Sequence, residues 1–284
     1  MKNTSQRAML PKIEMKTSDR SGPSRIAALL RHLGEAGTGG ARLSTLADAT
    51  GLPAPTALRL LRALVAEDLV DLDSTTKTYR LGLGLFRLAA KAGNPLGLRD
   101  LARPALLRLT GALGETVFLL VRSGYDAVCI DRTAGPLPIR SFTGDIGGRV
   151  MLGLGQGSMA ILAHLPVDER EAVIRYNLPR MREMTSLDEA FLHTEIARTR
   201  DLGYCAAASG LIPGMAGLGV PILDPDGRAV AALSVGSTVD RLAGERRDAI
   251  AGMLRREAAG IAARLNPFDE TLRRAGAAME RRPP

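Results

Sequence analysis

The stretch "LSTLADATGLPAPTALRLLRALVAEDLVDLDSTTKTYRLG", Leu43 to Gly82, decides the fold of the first third of the chain. Within it Ala57, Leu60, Leu61, Leu64 and Val65 recur at i, i+3, i+4, i+7 and i+8, the single buried stripe of a helix. Thr56, Arg59, Arg62 and Ala63 face away from that stripe, and Pro55 suits its first turn. Upstream, Ser44 is placed to cap a short helix through Leu46 and Ala47 that stops at Gly51. An earlier helix, Ser24 to Leu33, turns Ile26, Leu29, Leu30 and Leu33 to one side. A short helix, a turn containing glycine and a longer helix make a helix-turn-helix, with Ala47 small enough for a close crossing. Two strand-like runs, Leu69–Asp73 and Thr78–Leu81, flank a polar Ser-Thr-Thr-Lys turn and add a wing. In a winged helix-turn-helix the last helix enters the major groove. Thr56, Arg59 and Arg62 are therefore expected to reach bases and phosphates, and Lys77 and Arg80 the DNA backbone.

Composition agrees with that expectation. Of the 38 Lys+Arg in the 284 residues, 14 fall in residues 1–92, against 8 of the 30 Asp+Glu; every lysine lies in that part, while residues 93–265 are nearly neutral. A basic module joined to a neutral second domain fits nucleic-acid binding, and the length fits two domains. No apolar run is long enough for a membrane span and no apolar signal core opens the chain, so a cytoplasmic protein with no membrane partner is expected. Cys129 and Cys205 are far apart and His32, His164 and His193 have no ligand spacing, which argues against a disulfide framework and a metal site. No cofactor is expected.

The remainder is expected to be α+β. Leu98 to Leu113 is amphipathic; "ETVFLLV", "DAVCIDR" and "PIRSF" are strand-like; Gly153 to His164 begins another helix. A helix over 187–202, strands over 217–223 and 229–235 around "DPDG", and a last helix from about Gly244 to Leu265 complete it. Its most chemically suggestive stretch is "LGLGQGSMAILA", Leu152 to Ala163. Glycines before a helix leave first-turn N–H groups open to an anion, a carboxylate seat. The simpler role of Gly153, Gly155 and Gly157 is to let the helix start pack tightly on a sheet. No lysine follows, so a phosphate-binding P-loop is excluded.

With these residues in view, the order "RIAALLRHLGEAG", "LADATGL", "TALRLLRALV" and "YRLG" resembles the DNA-binding domain of the IclR family of bacterial transcriptional regulators. The resemblance continues through "GGRVMLGLGQGSMAILAHLP", "RDLGY" and "GLGVPILDPDGRAVAALSVGS". It implies a GAF-like effector-binding domain whose ligand is held by amides at a helix start, by a serine, and by an acid and a cysteine. Gln156 and Gly157 match the amide positions and Ser234 the serine, whereas Ala207 and Gly217 stand where the acid and the cysteine are expected. Gly155, Ser158 and Ser209 complete the expected effector contacts, with Leu154, Leu211, Ile212 and Met215 as an apolar lining. The expected effector is a small organic acid, larger and less polar than glyoxylate or pyruvate, in a roomier pocket. Ala54 and Pro55 replace residues that offer a phosphate contact in the family. The resemblance also implies homodimers or tetramers on pseudo-palindromic operators, joined through Ser24–Leu33 and Leu81–Ala90.

The expected organisation is a disordered arm at 1–20, a winged helix-turn-helix at 21–82, a linker helix at 83–93, an effector-binding domain at 94–266 and a flexible tail at 267–284. Two other functions are weighed beside an effector-controlled regulator: a ligand-independent repressor with a purely structural second domain, and an enzyme. Catalysis would need Cys129, Cys205 or Ser158 beside a base such as His164 or His193, and no carboxylate motif adjoins either histidine.

Overall fold

A computed structural model describes residues 21–91, 95–136, 145–206 and 214–265. The chain divides between Gly93 and Asn94 into two compact units. The first comprises α1 (Gly22–Ala36), β1 (Ala41–Arg42), α2 (Leu43–Thr50), α3 (Ala54–Ala66), β2 (Val70–Asp73), β3 (Thr78–Leu81) and α4 (Leu83–Lys91). The three strands are antiparallel in the order β1-β3-β2. Leu29 and Leu33 of α1, Leu46 of α2 and Leu60, Leu61 and Leu64 of α3 close on Val70 and Tyr79 of the wing.

Gly51 ends α2 in the left-handed region at φ 66°, its N–H bonded to the Ala47 and Asp48 carbonyls, as the stop signal requires. Ser44 does not cap α2. The helix starts at Leu43 from Arg42, which β1 holds in extended pairing with Thr78, so the chain enters the helix straight from a strand and Ser44 lies inside the first turn. The start of α4 is pinned to the turn that follows α3. Gly82 N–H donates to the Leu69 carbonyl and Gly84 N–H to that of Asp68, both at 2.9 Å. A Cβ on either glycine would overlap the Asp68 carbonyl, and Arg87 pairs with the Asp68 carboxylate at 2.8 Å.

The second unit comprises α5 (Pro95–Leu113), β4 (Thr116–Ser123), β5 (Asp126–Thr133), β6 (Arg149–Met151), α6 (Gln156–Ala163), α7 (Val167–Arg182), α8 (Glu189–Leu202), β7 (Met215–Leu223), β8 (Ala229–Thr238) and α9 (Gly244–Ala262). Its antiparallel sheet runs β6-β5-β4-β8-β7. Period-two alternation divides β4 between two cores: Val117 and Leu119 meet α5 and α9, while Phe118 and Leu120 meet the side of α6, α7 and α8. A three-layer α/sheet/α arrangement results, with α6 buried from Gly157 to Ala163.

Three local expectations are corrected. The site helix begins at Gln156, because Gly153 adopts φ 100° and Gly155 is extended. Residues 149–151 form an edge strand that the alternation did not reveal, and α7 was not anticipated at all. "PIRSF", the 1–20 arm and the 267–284 tail lie outside the described residues.

Both cysteines are buried, and burial pushes the Cys129 thiol up to about 12. At pH 8 neither thiol is expected to react with a disulfide reagent in the native protein, and both should react in denaturant, as a thiol titration will report. Because the folded-state value of Cys129 exceeds its ordinary 9.0, its contribution to stability is complete below pH 9. That contribution falls as pH rises toward about 12.

Candidate functional site

The exposed face of α3 is set by its leucines. With Ala57, Leu60, Leu61 and Leu64 buried, the 3.6-residue period turns Arg59 and Arg62 to solvent and leaves Thr56 half-buried beside them. Neither arginine is in an ion pair with a described residue, so both charges are available to phosphates and base edges. The wing turn is built by Asp73, whose Oδ1 accepts from the Thr75 and Thr76 amides at 2.8 and 3.1 Å. The Thr76 amide first, then that of Thr75, holds this carboxyl below its ordinary 3.8. Lys77 closes the turn at φ 55°, a conformation that favours glycine or asparagine. Arg80 also braces the wing: its guanidinium lies 3.7 Å from Asp73 with Nε buried and its stem packs over Gly40, while 42 % of the side chain stays exposed.

In the second unit α6 starts against the face of the sheet. Gly153 turns the chain at φ 100°, where a Cβ would meet Leu162, Met181 and Leu192 side chains at 3.1–3.3 Å. The loop is held from α7: buried Asn177 donates to the Tyr125 carbonyl at 2.6 Å and to the Leu152 carbonyl at 3.2 Å, and accepts from Arg180. Sequence reasoning missed this residue; an asparagine on the apolar stripe of Val173, Ile174, Leu178 and Met181 is the signal that could have found it.

Two glycines on one face of β7 receive the helix start. A Cβ at Gly219 would overlap the Gln156 carbonyl and lie 2.5 Å from the Gly157 nitrogen; at Gly217 it would overlap the Gln156 carboxamide. A Cβ at Gly157 would overlap Leu120 and lie 2.9 Å from Ser234 Cβ and 3.3 Å from its Oγ. Gln156, Gly157, Gly217 and Ser234 are therefore brought together, with Gly219 as the member that sequence reasoning missed. Its signal is the run "GLGVPI", glycine on one face while Leu218, Val220 and Ile222 fill the core on the other. By helix geometry the amides of Gln156, Gly157 and Ser158 have no intrahelical acceptor. Ser234 is 8 % exposed, and no hydrogen bond joins its hydroxyl to another described residue.

Two of the expected contact groups are used within the protein itself. Ser158 is fully buried and spends its hydroxyl on the helix start, accepting from Gly155 N–H at 2.9 Å and donating to the Gly155 carbonyl at 2.8 Å. The room expected at Gly217 is filled by Gln156. Ser209, Ala207, Leu211 and Ile212 lie outside the described residues. Leu154 lines a shallow surface dent with Gly155, Met159, Leu187, Phe191 and Cys205, with room of about 10 Å³, no more than a water molecule. Among the described residues the candidate catalytic groups are engaged elsewhere: Cys129 Sγ donates to the Asp131 carbonyl, His164 bonds the Ala160 carbonyl at the far end of α6, and His193 approaches Glu171 and Glu189. Burial moves the His164 pKa below 6.5. Among the described residues no cluster of His, Cys, Asp and Glu could hold a metal, and no helix is long and apolar enough to cross a membrane.

Comparison with known proteins meets this geometry at both units. Residues 23–74 match the IclR helix-turn-helix domain, and residues 90–263 match the bacterial transcriptional regulator IclR C-terminal domain. The chain belongs to the IclR family. It is an IclR-type DNA-binding transcriptional regulator, with an N-terminal helix-turn-helix and a C-terminal α+β domain. It is 29% identical over 220 residues to the HTH-type transcriptional repressor AllR of Escherichia coli K12, covering 77% of this chain and 80% of that protein. It is likewise 29% identical over 222 residues to AllR of Salmonella typhi, with the same coverage. Among solved IclR-family structures, the Thermotoga maritima IclR superposes with a TM-score of 0.68 at 23% identity, over 86% of this chain and 98% of that one. An IclR homologue from Microbacterium hydrocarbonoxydans, complexed with 4-hydroxybenzoate, superposes equally well at 24% identity, over 84% and 98%.

The IclR-type helix start makes a stability prediction. Gly219→Ala forces a Cβ into backbone and is expected to cost about 1–3 kcal/mol. Gly111→Ala, at an exposed α5 position with nothing within 4 Å, should stabilise by about 0.5–1 kcal/mol. Urea unfolding of the two variants measures both.

Proposed function

We propose that this regulator grips a pseudo-palindromic operator through Thr56, Arg59, Arg62 and the wing, and that a small organic acid bound at the start of α6 changes that grip. The observation that carries the DNA-binding surface is the pair of exposed arginines with no partner among the described residues, fixed by the leucine stripe behind them. The effector seat is supported by the first-turn amides of α6 with the buried Ser234 hydroxyl beside them. The proposed ligand is a carboxylate larger than a two- or three-carbon oxoacid, an aromatic or branched acid, with the buried Leu154 beside the helix start as apolar lining. The 4-hydroxybenzoate held by the Microbacterium homologue belongs to that class.

One α3 reads too few base pairs to find a site in a genome, so paired half-sites are proposed. The second copy is assigned to the exposed apolar residues of α4, Leu83, Phe86 and Leu88 at 68, 66 and 58 % exposure. A cytoplasmic location accompanies this function.

Arg59→Ala and Arg62→Ala are each expected to weaken operator binding by about 1–3 kcal/mol with the fold unchanged. Lys77→Gly separates backbone from charge: it relieves the left-handed turn, so the melting temperature should hold or rise, while affinity drops equally on all sequences and the salt slope flattens by about one. Wild-type operator affinity in both arginine variants would contradict the assigned face. For the effector, a panel of organic acids is followed by thermal shift and by release of operator DNA. A responding acid should raise stability by about 2.7 kcal/mol at a hundredfold excess over its Kd, and Ser234→Ala should reduce the response. No response to any acid would favour the ligand-independent repressor.

A further inference from the structure

We infer that Gln156 is the specificity-determining residue of the effector seat: its carboxamide, lying in the space of a residue-217 side chain, reads a second polar group on the ligand. The inference rests on the proposed carboxylate seat and adds what selects among carboxylates.

The strand and the helix are complementary at two successive positions. Gly217 and Gly219 are two residues apart on β7, so they share a face, and α6 fills both vacated places. At Gly219 the occupant is backbone, which fixes where the helix begins. At Gly217 the occupant is a side chain: a Cβ there would overlap Gln156 Oε1 and lie 2.9 Å from its Cδ and 3.0 Å from the Val235 carbonyl. Gly217 is buried and Gln156 only half-buried, so the carboxamide reaches inward from the helix start to a place that β7 leaves without a side chain.

That placement also puts an amide oxygen and an NH₂ group beside the two other elements of the seat. Gly157, the next residue of α6, lies against Ser234, and Ser234 pairs with Gly219 across the β7–β8 ladder. A carboxylate held by the first-turn amides and Ser234 thus has, one residue away, a neutral group that both donates and accepts hydrogen bonds. A hydroxyl or oxo group on the ligand within reach of this half-buried carboxamide adds a hydrogen bond that the plain acid cannot make, so the substituted acid is favoured. The preferred effector is therefore a hydroxy- or oxo-substituted organic acid, and the determinant is a helix side chain in place of a strand side chain.

The experiment compares matched acids, phenylacetate against mandelate and 3-methylbutanoate against 3-methyl-2-oxobutanoate. Wild type, Gln156→Ala and Gly217→Ala full-length protein are measured by calorimetric binding and by operator release. Wild type should favour the substituted member of a pair by about two- to tenfold, the net worth of one hydrogen bond. In Gln156→Ala the two members of a pair should bind equally, the preference being lost. Gly217→Ala, whose Cβ displaces the carboxamide, should lose it too. A ligand-free measurement tests the contact itself: the melting temperature lost in Gly217→Ala should be largely recovered in the double variant with Gln156→Ala. If acids bind and the preference survives in Gln156→Ala, the carboxylate seat stands and this inference is overturned. If no acid binds any of the three proteins, the seat itself is refuted and the inference with it. Additive melting shifts in the double variant would also contradict the contact.

Discussion

A helix buried along almost its whole length must bring its unbonded first-turn N–H groups into the protein with it, and α6 is such a helix. The second unit is organised around that constraint. Strand β7 gives up two side chains so that the helix start can lie on the sheet, Gly153 turns the incoming loop, and Asn177 anchors the loop from α7. Ser158 satisfies only the Gly155 amide, one residue before the helix. The amides that follow face a part of the sheet where the neighbouring polar group is a buried serine. Unbonded N–H groups at a helix start carry partial positive charge, which is the physical basis of the proposed carboxylate seat.

The first unit solves a different problem with the same economy of residues. One face of α3 closes the core and the other is given to arginine, so the core and the proposed recognition surface are carried by different side chains of one helix. The turn after α3 serves a third purpose. Asp68 adopts φ 57°, its carbonyl is capped by Gly84, and its carboxylate holds Arg87, so the direction of α4 is set where α3 ends.

What was legible in the sequence was local. The leucine stripe of α3, the Gly51 stop and the alternation in "ETVFLLV" each depend on neighbours a few residues away, and the structure realises them. Ser44 failed as a cap because a two-residue strand, paired with Thr78 some thirty positions on, fixes Arg42 first. The α7 helix was hidden by Pro179 and by an asparagine in its stripe, whose partners lie on β4–β5 and the site loop. Around the seat, glycine was recognised as important at the helix start, and Gln156, Gly157 and Ser234 do meet there. The fate of Ser158 and Gly217 was not legible, because each depends on a close approach between residues that the chain separates: a hydroxyl consumed by its own cap, and a side-chain space filled from another element.

The central claim is that a carboxylate is held by the start of α6. The most direct measurement is amide hydrogen exchange of the full-length protein with and without a saturating acid that shifts its stability. Slowed exchange at Gln156, Gly157 and Ser158, lost in Ser234→Ala, is the predicted result. Protection elsewhere in the second unit, with these three amides unchanged, would contradict it.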